Sequence, residues 1–448
     1  MNLSDSVSHP AEFGRIWRSF DRFRGAVDAS TWPVMVLILI FVRAQDEAAW
    51  EAVRSSPAPN ANELLRKLPS EISGQTGTAL GILRDMSVSA LAGMIDAVES
   101  VARPLGNKAA FSYLLSEFAE YEGKRAGEFY TPKSVAAILV NSLDMNSTST
   151  VYDPFCRSGE LLVAAAARAS AGSASADFSV HGATPNSESL GIARMHIQLI
   201  GIRGELEKCH VIDLVDGPLD TRKFSRILTN PPFNLNNWTS QDSAYWRYGP
   251  PPKGNANFAW LQYAVEKLEP GGQAAVVMAN GALSSASPRE RDIRMRMVED
   301  GCVEALITLP PALFYNTGIP VTIWLLNPPK TSRNEVLFVD ASDSGHMVGR
   351  THRDLSDAEI GEIIRTVASW RAGRLNKSNI GAVSIPMTQI REQDYNLNPL
   401  VYFSRTPAIA EYKSAMSEIR LLTRRLESEQ NEAAEKDAVA SRLLRGLT

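Results

Sequence analysis

The sequence predicts an α/β protein: a mainly parallel sheet covered by helices on both faces, with a helical segment before it and a long helix after it. Three observations predict this. Short β-rich runs alternate with helical stretches from roughly 123 to 340. Those runs are apolar almost throughout, as strands buried on both faces are. On either side of this region the apolar residues recur at helical spacing.

The elements follow in order. Residues 1–120 form a helical domain. Glu12 to Phe23 mixes aromatic and charged residues at helical spacing, and the apolar run Val34–Val42 after Trp32-Pro33 predicts a buried helix with proline in its first turn. A Pro/Asn/Ser-rich break at Ser55–Asn60 separates it from amphipathic segments at Ala90–Val101 and Ala109–Tyr121. No catalytic constellation occurs here, so docking is the expected role. Residues 121–402 form the α/β domain, with candidate strands at Thr150–Tyr152, Phe178–His181, Arg226–Leu228, Ala274–Met278, Ala305–Thr308, Thr322–Leu326 and Val336–Val339. A helix over Asp357–Ala372 is expected next, then irregular sequence to about Leu400. Residues 403–448 predict one helix whose apolar seam (Ile409, Met416, Ile419, Leu422, Leu426) calls for a docked partner subunit.

Composition narrows the function. Of 448 residues, 44% are hydrophobic and 21% charged, which excludes extensive disorder. The net charge of −4 gives no global basic field, so positive surface for nucleic acid must be local or carried by a partner. Cys156, Cys209 and Cys302 lie far apart and His is scarce, so neither a metal site nor a disulfide framework is expected. Cys156 reads as a packing residue. The longest apolar run is about half of what a bilayer crossing requires. The first residues carry no basic stretch leading into an apolar run and cleavage site. A cytoplasmic location and no membrane partner are expected.

Two motifs carry chemistry. Val151-Tyr152-Asp153-Pro154-Phe155-Cys156-Arg157-Ser158-Gly159-Glu160 runs from an apolar strand through a small-residue turn into a helix over Leu161–Ala169. Backbone N–H groups at such a helix start favour an anionic group, and Gly159 lets the chain approach a ligand closely. Asp153 is placed to accept from an ammonium or to order the turn. The second motif is Ile227-Leu228-Thr229-Asn230-Pro231-Pro232-Phe233. Two prolines after a strand fix φ and remove two donors, leaving a stiff loop. The Asn230 side-chain oxygen and the Pro231 carbonyl can then both accept from one exocyclic NH2 group. Phe233 offers a face to a planar base, an interaction worth about 1–3 kcal/mol. Open α/β sheets bind ligands beyond the carboxyl ends of the strands, where the strand order reverses.

Together these motifs resemble the amino-methyltransferases that use S-adenosylmethionine, and the likeness extends through roughly residues 120 to 402. Gly127-Glu128-Phe129-Tyr130-Thr131-Pro132-Lys133 is similar to the entry motif that cradles the methionine end of the cofactor. Trp246-Arg247-Tyr248-Gly249-Pro250-Pro251 and Gly254-Asn255-Ala256-Asn257-Phe258-Ala259-Trp260 resemble the segment after the catalytic loop in type I modification subunits. Gly271-Gly272, Thr317-Gly318-Ile319-Pro320 and Asp394-Tyr395-Asn396-Leu397-Asn398-Pro399 follow in the same order. The resemblance implies a Rossmann-like fold and methylation of adenine N6 in double-stranded DNA, with Asn230, Pro231, Pro232 and Phe233 catalytic and no metal. It implies that S-adenosylmethionine is held by Glu128, Phe129, Tyr130, Thr131, Pro132, Lys133, Asp153, Phe155, Ser158, Gly159, Glu160, Thr184 and Asp213, with Asp216 the alternative to Asp213. It also implies a specificity subunit, a restriction subunit and a second copy of this chain as partners.

Two departures stand out. Arg157 occupies a position where the family usually has glycine. Thr184 follows His181-Gly182-Ala183 where the second strand commonly ends in an acidic residue that binds both ribose hydroxyls. One hydroxyl in place of that pair costs about 1–3 kcal/mol if nothing compensates, and Glu188 is the nearest substitute. These departures admit a second reading, a non-catalytic scaffold. A third, methylation of a protein glutamine, is opposed by Phe233 where such enzymes usually have Tyr. After the last strands only about a hundred residues remain, too few for a large domain reading base edges in the major groove.

Overall fold

The computed structural model describes residues 31–123, 131–170, 177–216, 221–239, 246–314, 318–331, 334–348, 352–375 and 380–403. The expected helix over Glu12–Phe23 lies outside them, as does the terminal helix expected over 403–448 apart from its first residue.

Nine strands make one sheet in the order β11-β8-β6-β7-β5-β4-β1-β2-β3. They are β1 (Thr150–Asp153), β2 (Ser179–Thr184), β3 (Gly204–Lys208), β4 (Phe224–Thr229), β5 (Leu268–Ala279), β6 (Val303–Thr308), β7 (Val321–Leu326), β8 (Glu335–Asp340) and β11 (Gly381–Pro386). The short strands β9 (His346–Met347) and β10 (Arg353–Asp354) pair separately and antiparallel. Strands β3, β2, β1, β4 and β5 run parallel. β7 lies antiparallel between β5 and β6, and β6 runs parallel to β8. The chain steps outward from β1 to β2 and β3 on one side, then returns to place β4 and β5 on the other. The order therefore reverses between β1 and β4, the point beyond whose carboxyl ends open α/β sheets place their ligands.

Each of the seven expected strands lies at one of β1, β2, β4, β5, β6, β7 and β8. The sequence reading missed the short pair β9 and β10 and, in the large sheet, β3 and β11, both of which are edges. In β3, Gly-Glu-Leu-Glu-Lys buries only Leu206, and charges on an edge strand deter pairing with other chains. β11 buries only Ile385 and takes its place by pairing antiparallel with β8 across six register positions. The segment expected to be irregular after the helix Asp357–Arg371 thus holds β11 and the short helix Met387–Glu392.

The helical layer begins with Trp32–Gln45, with proline in its first turn and every residue from Trp32 to Arg43 buried. Its one buried charge, Arg43, donates from Nε to Glu99 Oε2 at 2.9 Å, an oxygen that Trp50 Nε1 also reaches at 2.8 Å. Glu99 also accepts from Arg103 at 2.6 Å, and these donors hold its carboxyl down at about 2 against the cost of burial. The helices Val88–Leu105 and Asn107–Gly123 complete this core, which also takes in Met195 and Leu199 from the helix Ser187–Ile200 after β2. His196 of that helix is fully buried against Ser112, 2.8 Å from its hydroxyl, and burial pulls its pKa down to about 4. The helical layer thus shares its core with a sheet-covering helix, and one compact unit runs to Pro399. Among the described residues no single helix is long and apolar enough to cross a membrane.

Gly182 shows how tightly β2 packs beneath the turn after β1. A Cβ there would lie 2.8 Å from Cys156 Sγ, 2.9 Å from Cys156 Cβ and 3.0 Å from Leu162 Cδ1. Gly182→Ala is expected to destabilise the protein by about 1–3 kcal/mol through overpacking. Chemical denaturation checks this, and Cys156→Ala in the same chain should recover part of the loss.

Candidate active site

Both chemical motifs leave adjacent strands at the same end of the sheet. Tyr152 stands level with Ile227 in the β1–β4 register, so Asp153 and Thr229 close their strands side by side. Thr229 Oγ1 donates to Asp153 Oδ1 at 2.6 Å, and the same oxygen accepts from the Phe155 amide at 3.0 Å. Asp153 thus orders the turn, one of its two expected roles, and ties it to β4. It is 1% exposed, and burial pushes its pKa up to about 7, opposed by these two hydrogen bonds.

The turn itself is compact. The Cys156 amide donates to the Ala183 carbonyl of β2 at 2.9 Å, and its side chain is buried as expected of a packing residue. Burial pushes the Cys156 thiol well up, which leaves it un-ionised. Arg157 sits at φ +44°, in the left-handed region, and so does Gly159 at φ +79°. A Cβ on Gly159 would stand 3.3 Å from that of Ala193, so the glycine serves both its backbone angle and the approach of a neighbouring helix.

Glu160 and Thr131 join this turn to the entry motif. Glu160 Oε2 accepts from Ser158 Oγ at 3.0 Å, while its Oε1 accepts from the Thr131 amide at 3.4 Å. Thr131 is buried, and its hydroxyl oxygen accepts from Asn230 Nδ2 at 3.2 Å. Pro132 precedes the helix Lys133–Asn141, and Lys133 is exposed. Glu128, Phe129 and Tyr130 lie outside the described residues.

Asn230 is 2% exposed, with its Nδ2 committed to Thr131. Its Oδ1 is buried and accepts no hydrogen bond among the described residues. An unmatched buried amide oxygen costs about 1–3 kcal/mol. Pro231 is buried, and Pro232 and Phe233 are half-buried, with Phe233 packed against the main core.

What steadies this loop comes from the segment after it. Trp260 Nε1 donates to the Pro232 carbonyl at 3.0 Å. Asn257 is buried; its Oδ1 accepts from the Asn234 amide at 2.9 Å, and its Nδ2 donates to Asn234 Oδ1 at 3.0 Å. Trp238 donates to the Pro252 carbonyl at 3.0 Å. Phe155 meets Trp260 edge-on at 4.9 Å, in an aromatic cluster with Trp238 and Trp246. The motif from Gly254 to Trp260 was legible by resemblance alone. Its physical task, gripping the proline loop and the Phe155 ring together, was not. Thr229 was also missed as a site residue, although a hydroxyl closing an apolar strand was a usable signal.

The remaining expected positions stand further out. Thr184 is buried at the end of β2, and its carbonyl accepts from the Cys209 amide at 3.1 Å. Asp213 is exposed on the short helix Val211–Asp216, whose Val211 and Leu214 pack against the aromatic cluster that includes Phe155. Among the described residues, no hydrogen bond joins Thr184 or Asp213 to the group around Asn230. No cluster of His, Cys, Asp and Glu able to hold a metal occurs among the described residues.

A parallel sheet with its reversal between a glycine turn and an Asn-Pro-Pro-Phe loop is the layout of an amino-methyltransferase. The chain belongs to the N-6 DNA methylase family, which matches residues 106–410. Its relatives include the methylase subunit of the type I restriction enzyme HindI from Haemophilus influenzae, 33% identical over 342 residues, or 75% of this chain and 77% of that subunit. The methylase subunit of the type I enzyme MjaIX from Methanocaldococcus jannaschii is 29% identical over 308 residues, covering 64% of this chain and 54% of that subunit. In fold, the chain is similar to the crystal structure of a type I restriction-modification methyltransferase subunit from Streptococcus thermophilus. That match has a TM-score of 0.67 at 23% identity and covers 87% of this chain and 98% of the other.

The buried Asp153 carries a pH dependence. Its pKa is raised by folding from 3.8 to about 7, so the native state binds more protons between those values, and Asp153's contribution to stability falls as pH rises. His196, lowered from 6.5 to about 4, acts in the opposite direction between pH 4 and 6.5, so the wild-type profile alone is uninformative. The stability of the wild type relative to Asp153→Asn should fall by up to about 4 kcal/mol from pH 4 to 7, then level off. Urea unfolding at stepped pH measures it, and a flat difference would contradict the assignment.

Proposed function

We propose that the chain methylates adenine N6 in double-stranded DNA, using S-adenosylmethionine, as the modification subunit of a type I-like complex. The observation that carries the mechanism is the buried Asn230 Oδ1, an acceptor without a donor among the described residues, beside a turn built for close approach. The residues fit the cofactor. Gly159 holds the left-handed backbone of the turn, the start of the helix Glu160–Ser170 lies beside it, and Thr131 and Glu160 link this turn to the entry motif.

S-adenosylmethionine, when bound, supplies a methyl group already activated by the positive charge on sulfur. The chain then has to hold the amine. Asn230 Oδ1 and the Pro231 carbonyl accept the two N–H bonds of the exocyclic amine, which draws its lone pair out of conjugation with the ring. Phe233 stacks on the base. Positioning of this kind is worth several orders of magnitude in rate, and it needs no covalent nucleophile. A base inside the duplex cannot reach so enclosed an acceptor, so the adenine is flipped out of the helix. Of the cofactor positions, Ser158, Gly159 and Glu160 take the end nearest the turn. Thr131, Pro132 and Lys133, with Glu128, Phe129 and Tyr130, take the methionine end. Thr184 and Asp213 take the ribose and adenine.

Sequence choice falls to a specificity subunit. Beyond β8, the described residues hold two helices, a β-hairpin and one edge strand, with no separate domain for reading base edges. We assign residues 1–120 and 403–448 to docking within a complex that also holds a second copy of this chain and, where restriction occurs, a restriction subunit.

Asn230→Ala should lower methyl transfer to adenine-containing duplex by about a thousandfold or more while S-adenosylmethionine binding persists. Transfer of labelled methyl and calorimetry measure the two separately, and retained methylation would reject the site. Ending the chain after Arg405 should abolish copurification with the specificity subunit. If the shortened chain still copurifies, docking lies elsewhere.

A further inference from the structure

Arg157 occupies the one position of the cofactor turn where its backbone pays for not being glycine. At φ +44° an L side chain crowds its own carbonyl, a cost that glycine would not carry. Something offsets that cost. The guanidinium is half-buried, and its Nη2 donates to the main-chain carbonyl of Asn230, 3.3 Å away and 73 residues along the chain. Arg157 is therefore a direct link from the first βα turn to the main chain of the loop that carries the buried acceptor.

That carbonyl belongs to the Asn230–Pro231 peptide. Fixing it fixes the plane of the peptide, and because the proline ring locks φ, the direction of the next carbonyl is constrained as well. The Asn230 side chain is held independently, from Nδ2 to Thr131 Oγ1. One strut thus sets the main chain of the loop and another sets its amide, and both start from motifs expected to hold the cofactor.

We propose that Arg157 is a positioning residue for methyl transfer: it ties the cofactor turn to the Asn230–Pro231 peptide and so holds the amine acceptors in register. The proposal rests on the functional reading above, and it assigns Arg157 no contact with cofactor or base. Its signature is a split. Arg157→Gly relieves the backbone and opens the turn, so cofactor affinity is unchanged or tighter. The acceptor loop loses its strut, so the transfer rate falls.

The test uses the full chain in complex with its specificity subunit and compares wild type, Arg157→Gly and Arg157→Lys. S-adenosylmethionine affinity is measured by calorimetry, and the rate by single-turnover transfer to adenine-containing duplex. Arg157→Gly is expected to bind the cofactor at least as tightly as wild type and to transfer about ten- to a hundredfold more slowly. Arg157→Lys, with one donor able to reach the carbonyl, should recover part of the rate. Wild-type rate in Arg157→Gly overturns the proposal, as does an equal loss of rate and affinity, or a lysine variant no faster than the glycine one. A wild-type complex that transfers no methyl would instead overturn the functional reading, and this inference with it.

Discussion

The hydrogen bond from Thr229 to Asp153 is the contact on which the site's geometry turns. It joins the ends of two neighbouring strands where the order of the sheet reverses, so the turn after β1 and the loop after β4 share one anchored corner. The bond is buried, and a partner removed there would leave a desolvated group unmatched. Asp153 is spent on this corner and on the Phe155 amide. The amide oxygen of Asn230, next after Thr229, stays buried and accepts no hydrogen bond among the described residues.

Around that corner, the chain solves one mechanical problem several times. A loop with two prolines has few donors of its own and cannot be held by ordinary ladder bonds. It is held from outside instead: Trp260 on the Pro232 carbonyl, Arg157 on the Asn230 carbonyl, Thr131 on the Asn230 amide and Asn257 on Asn234. These struts come from three different parts of the chain, since Asn257 and Trp260 share the helix Asn257–Glu266. Stiffness supplied in this way lets a short polar group sit buried without collapsing onto a nearer partner, which preorganised acceptor chemistry requires.

The two departures from the family pattern have different consequences. At Arg157 the bulky residue keeps the left-handed backbone that glycine would adopt, and its side chain folds over the adjoining loop. At Thr184 the end of β2 is buried, its carbonyl accepts from the Cys209 amide, and Asp213 is exposed. The corner formed by Asp153 and Thr229 thus gains a further tie through Arg157.

The sequence by itself determined the parallel sheet and both chemical loops, because continuous apolar strands, a glycine turn and a double proline are local patterns with local causes. Seven strands, the buried helix with its leading proline and the Asn230 loop could be read without knowing what lay beside them. The edge strands β3 and β11 could not, since a charged or half-exposed strand exists only by virtue of the neighbour it pairs with. Nor could the roles of Trp260, Asn257 and Arg157 be read from local pattern, because each acts on a residue that is distant in sequence. Only the tertiary structure decided which groups are consumed in holding the corner and which, like Asn230 Oδ1, keep no partner among the described residues.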